Sequence, residues 1–179
     1  MSPRPPTSPS TVHTTLTHDP VVLERPAQPY LGTRRPVTMA TIPEIADRLG
    51  DLVAAVLAAG RVPAGAPFLR YLVIDMDATL LVEAGVPLDE PLGVQAGDVY
   101  DGELPAGRFV TVTHSGHPDT LVGATGDLLR WADSRGLRFD RRPGPDGDVW
   151  GCRLKNYLTN PAQEPDTNRW ETELAFRLA

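Results

Sequence analysis

Two glutamates, Glu83 and Glu173, three aromatic residues, Tyr71, Tyr157 and Trp170, and one base, Lys155, are the side chains here whose types and placement could do chemistry. A carboxylate held in an apolar cleft has its pKa raised and can act as a general acid or base. A flat aromatic face stacks on flat molecules and attracts cations. Phe68 and Trp150 could extend such a wall, and the Tyr71 hydroxyl could donate to a ligand. Tyr157 shares a strand side with Arg153 and Lys155, a face too polar for an ordinary core. Each residue also has a plainer role. Glu83 and Glu173 suit a solvated strand face. Trp170 shares a face with Thr172, Leu174 and Phe176 and suits core packing, as do Phe68 and Trp131. Trp150 suits a strand-end anchor.

His114 and His117 flank Ser115-Gly116 ahead of a helix. Three apart on a loop with no third ligand, they do not make a metal set, and His114 is read as part of a pocket rim. Ser115 near His117 lacks the orienting acid that a nucleophile pair needs. The chain therefore points to no metal and no cofactor.

The elements that must position these residues form a pattern that occurs twice. Residues 1–19 are rich in Pro, Ser and Thr without apolar period and read as a disordered tail. The domain spans 20–179, with halves of about 20–90 and 91–179. The first half has an extended run over 21–37, broken by prolines. A helix follows from a Thr41 cap, with Glu44 three residues on, to a Gly60 stop, and then two strands over 68–75 and 79–86. The second has a short extended piece over 98–103, an alternating strand over 108–114 and a helix over about 120–134. A turn-rich loop over 141–148 leads to closing strands over 149–158 and 170–178. The order strand, helix, strand, strand recurs. It gives an α+β fold with a pseudo-two-fold, mostly antiparallel sheet and a central cleft between the halves, where ligands commonly sit.

Apolar residues make up 41% of the 179, enough for a core. The net charge of −6 disfavours direct nucleic-acid binding, which calls for a basic surface. The single cysteine, Cys152, precludes an intrachain disulfide. No apolar run has transmembrane length, and no hydrophobic signal region opens the chain, so a cytoplasmic protein without membrane contact is expected.

Four phrases carry a family resemblance. They are Pro67-Phe68-Leu69-Arg70-Tyr71, Glu83-Ala84-Gly85-Val86-Pro87, Leu104-Pro105-Ala106-Gly107-Arg108-Phe109, and the hairpin from Tyr157-Leu158-Thr159-Asn160-Pro161 to Trp170-Glu171-Thr172-Glu173-Leu174. In this order they resemble the GyrI-like proteins, which include effector-binding domains of drug-sensing activators of the BmrR and Rob type. The resemblance runs from about Val21 to Leu178. It implies a pocket between the halves, lined by aromatics, that takes bulky, flat, lipophilic molecules, frequently cations. It points to a stand-alone multidrug-binding protein. Two alternatives are a hydrolase of cyclopropane-bearing genotoxic natural products and a gyrase-interacting protein. The chain departs from the family at Lys155, where many members place a glutamate, and it shows no helix-turn-helix segment ahead of Val21.

Overall fold

The computed structural model describes residues 16–179, so residues 1–15 of the expected tail lie outside the described residues. The neighbouring Leu16 packs against the core of the second half, and the Thr17 hydroxyl donates to the Thr113 carbonyl.

The first half contains β1 (Val21–Arg25), β2 (Gln28–Val37), α1 (Ile42–Ala46), α2 (Arg48–Ala58), β3 (Phe68–Ile74) and β4 (Leu80–Pro87). The second contains β5 (Gln95–Ala96), β6 (Val99–Leu104), β7 (Gly107–Ser115), α3 (Leu121–Asp133), β8 (Arg141–Gly144), β9 (Gly147–Trp150), β10 (Arg153–Tyr157) and β11 (Glu171–Arg177). All strand pairs are antiparallel, in the order β1-β7-β11-β10-β3-β4-β2-β6-β5, with β9 pairing β3 and β8.

From the central β10–β3 pair outwards, the order β3-β4-β2-β6 on one side matches β10-β11-β7-β1 on the other, in accord with a duplicated unit. The outer strands are exchanged: β1, from the first half, borders β7, and β6, from the second, borders β2. β1 and β2 lie six places apart, about 29 Å in a flat sheet. Yet only Pro26 and Ala27 join them, a reach of about 11 Å. The sheet is therefore rolled, with one face turned inward and the other covered by helices.

Alternation assigns the faces. Leu69, Val82, Ala84 and Val86 pack with Leu52 and Val56 of α2. Val110, Val112, Leu174 and Phe176 pack with Leu128 of α3. Tyr30, Phe68, Phe109, Cys152 and Leu154 fill the roll. Each fully buried Leu or Val contributes about 1.5–3 kcal/mol, so these stripes hold the helices on the sheet. Both helical segments stop alike, at Gly60 (φ 72°) and Gly136 (φ 67°). Past each, Arg61 N–H donates to the Val56 carbonyl and Leu137 N–H to that of Ala132, the closure a left-handed residue permits.

Three elements differ from the sequence reading. The first helix divides at Asp47, which keeps helical dihedrals (φ −63°, ψ −23°), and Thr41 gives it no side-chain cap because its hydroxyl accepts from Thr38 N–H instead. The 141–148 loop is the hairpin β8–β9 around Pro145-Asp146. The long closing strand breaks into β9 and β10 past Gly151, whose N–H bonds the Asp140 carbonyl in step with the β8–β9 register, before β10 takes β11 as its partner.

Candidate ligand-binding site

Where β3 meets β10, Leu69 is opposite Lys155 and Phe68 opposite Asn156. Strand alternation sends Tyr71 from β3, and Arg153, Lys155 and Tyr157 from β10, to the helix-covered side. Tyr71, Arg153 and Lys155 line a narrow cleft of about 50 Å³ between the start of α1, at Ile42, and the α3 residues Val122 and Thr125. Met39, Met76 and Val122 ring it and are 39%, 51% and 57% exposed, so its mouth is apolar and open to solvent. Methionine side chains are pliable and can re-pack around irregular shapes.

The bases in this cleft rest on rings rather than acids. Lys155 Nζ lies 5.0 Å from the Tyr71 ring centre, and the Arg153 guanidinium lies 4.7 Å from those of both Trp150 and Phe176. Among the described residues neither side chain forms an ion pair; Asp148, the acid nearest in effect to Arg153, pairs with Arg141 at 3.9 Å. Burial lowers the Lys155 pKa to about 8, helped by the like charge of Arg153, and lowers that of Arg153 to about 10. Burial raises Tyr71 to about 12 and pushes Tyr157 up further, with Tyr71 adding to it. The buried Thr125 hydroxyl has no hydrogen-bond partner among the described residues.

Both glutamates lie on the inward face. Glu83 is buried, with Oε1 accepting from the Tyr30 hydroxyl at 2.6 Å, Oε2 accepting from that of Tyr100, and Arg70 3.6 Å away. Burial and the adjacent carboxylate raise the pKa of both tyrosines, so each stays a donor. Glu173 Oε1 accepts from Arg25 at 2.9 Å and from Asn156 at 2.8 Å. It borders a second cavity of about 440 Å³ at the end of the roll, with Phe68, Phe109, Leu104 and Leu154.

The remaining sequence candidates are dispersed. His114 is buried, with Nε2 2.7 Å from the Thr120 hydroxyl. Trp150 packs on Phe139 and Phe176 in the second core. The Trp170 indole donates to the Glu164 carbonyl in the closing loop. Of the nine, the structure thus brings Tyr71 and Lys155 together in one cleft, with Tyr157 beside Tyr71, and Phe68 with Glu173 in the other cavity. Sequence reasoning passed over Thr125, although it follows Leu121 by four and precedes Leu128 by three, on the helix's buried stripe. Met39 and Met76 carry no comparable signal. Among the described residues no cluster of His, Cys, Asp or Glu could hold a metal ion, and no helix is long and apolar enough to cross a membrane.

A family model for the GyrI-like small molecule binding domain matches residues 18–179. Among curated proteins none matches. The fold is similar to that of the EcmrR C-terminal domain (TM-score 0.68, 18% identity, 92% of this chain and 99% of that one). It is also similar to SAV2435 bound to tetraphenylphosphonium (TM-score 0.62, 7% identity, 90% and 94%). A third similar structure is a hydrolase from Listeria innocua (TM-score 0.59, 13% identity, 94% and 94%).

Proposed function

Because the chain belongs to the family of GyrI-like small molecule binding domains, we propose that it buries bulky, lipophilic aromatic compounds in the cleft between its halves, as a multidrug-binding protein. The observation that carries this reading is the cleft's make-up. Tyr71 and two ring-held bases sit beneath a solvent-exposed rim of Met39, Met76 and Val122. Exposed apolar side chains gathered round one opening mark a binding surface. At about 50 Å³ the cleft is smaller than a drug-sized site of about 300–1,000 Å³, so binding moves the rim side chains aside. A folded similar protein holding tetraphenylphosphonium supports the lipophilic class.

The hydrolase alternative draws on a structural neighbour's description and on the two acids. Both acids face into the roll, away from the cleft, and both are already engaged by tyrosine, arginine or asparagine donors. Binding without turnover is the reading we prefer.

Titrating the chain with several unrelated aromatic compounds, followed by tryptophan and tyrosine fluorescence, tests it. Dissociation constants below about 1 mM (~4 kcal/mol) are expected for more than one compound. Val122→Trp, which fills the mouth, is expected to abolish them. Binding that survives this change and is lost on Phe109→Trp would move the site to the cavity at the end of the roll. Failure of every compound to bind would overturn the function.

A further inference from the structure

We propose that the ligand of the inter-half cleft is a lipophilic organic acid. Its ring body would seat on Tyr71 and the apolar rim, and its carboxylate, sulfonate or phenolate oxygens would face Arg153, Lys155 and the Thr125 hydroxyl. This rests on the binding function proposed above and adds the sign of the ligand's charge.

The polar side chains lining the cleft are two bases and two hydroxyls; no carboxylate, amide or imidazole joins them. The chain as a whole has more acids than bases, with 23 Asp and Glu against 17 Lys and Arg. Most arginines outside the cleft use that surplus: Arg25, Arg35, Arg48, Arg70 and Arg177 among them meet carboxylates. Arg153 and Lys155 do not, and ring faces hold them instead. A ring face steadies a cation but gives its N–H groups no lone pair in the ordinary hydrogen-bonding geometry. The cleft is therefore a site of donors awaiting an acceptor, and the buried Thr125 hydroxyl adds a third donor on the opposite wall. An incoming anion would meet two like-signed bases in a desolvated place, where charge attraction is strongest. An incoming cation would meet the same two charges as repulsion, with no carboxylate in the lining to offset it.

The cleft can be tested on the full chain at pH 7 with two probes that share a ring system and differ in charge, 9-anthracenecarboxylate and (9-anthracenylmethyl)ammonium, followed by anthracene fluorescence. The carboxylate is expected to bind at least tenfold more tightly. Lys155→Met is expected to weaken it about tenfold and to tighten the ammonium probe, since one of the two repelling charges is gone. Lys155→Arg should retain the preference, and Lys155→Glu should reverse it. Thr125→Val should weaken only the carboxylate. Circular dichroism of each variant separates lost contacts from lost folding. Tighter or equal binding of the ammonium probe to the parent chain would overturn the anion assignment while leaving the binding function standing. Carboxylate affinity unmoved in a folded Lys155→Met variant would also overturn it. If neither probe binds while other aromatic compounds do, the anion assignment alone fails; if no aromatic compound binds, the binding function fails with it.

Discussion

Burial holds the Lys155 ammonium at about 8, well below its ordinary 10.5, so it titrates in the folded chain long before it does in the unfolded one. Below about pH 8 both states carry the proton, and the folded state bears the cost of a buried charge. Between 8 and 10.5 the unfolded chain binds more protons, so stability rises with pH across that window. Lys155→Met removes the cost. The variant is expected to exceed its parent by about 1–2 kcal/mol at pH 7, with the difference shrinking toward pH 10, as urea melts at the two pH values would show. Tyr71, raised to about 12, contributes in the opposite sense only above pH 10 and does so equally in both chains. At Glu83 the outcome is structural: Tyr30→Phe removes one bond to a charged group and should cost about 1.5–3 kcal/mol. Glu83→Leu strands Tyr30, Tyr100 and Arg70 together and should cost about 3–5 kcal/mol, again read by urea denaturation. The shared side of Arg153, Lys155 and Tyr157 was legible from alternation alone. The setting of Glu83 was not, because whether a polar strand face meets water or the inside of a roll depends on strand order.

Among the elements, the helices and most strands follow from periodicity and from the Gly60 and Gly136 stops. The β8–β9 hairpin was hidden by its polar composition, Arg141-Arg142-Pro143-Gly144, which reads as a loop until β3 supplies a partner at Val73 and Ile74. The β9–β10 break was hidden because the strand follows β8 as far as Gly151 and then takes β11 as its partner, a change that no local residue pattern announces. On β4, Gly85 leaves room for the Phe68 ring on the neighbouring strand; a Cβ there would overlap the ring. Gly85→Ala is expected to cost about 1–3 kcal/mol by overpacking. Pairing it with Phe68→Leu should recover part of the loss. Thermal melts of the two single variants and the double variant would measure the coupling, and simple additivity would contradict the contact.

For the molecule as a whole, the exchanged outer strands stitch the halves together. β1 completes the second half's sheet from a connector two residues long, and β6 completes the first half's through the short turn to β7. Neither half can open without unpairing a strand of the other, so unfolding should be one cooperative event. All three tryptophans, Trp131, Trp150 and Trp170, belong to the second half. Tryptophan fluorescence therefore reports that half, while far-ultraviolet circular dichroism reports both. The two denaturation curves are expected to coincide, and a separated fluorescence transition would refute the coupling. The exchange also bears on ancestry. A single unit ending near Leu88 has an arm, β1, that does not border its own β2 in this fold, and a bare β2 edge that such an arm would fit. Two copies, each lending its arm to the other, would satisfy both. The smallest self-sufficient form of this unit is thus a pair, and light scattering on residues 16–90 alone should find a dimer, the arrangement that joining two copies in tandem would have made permanent.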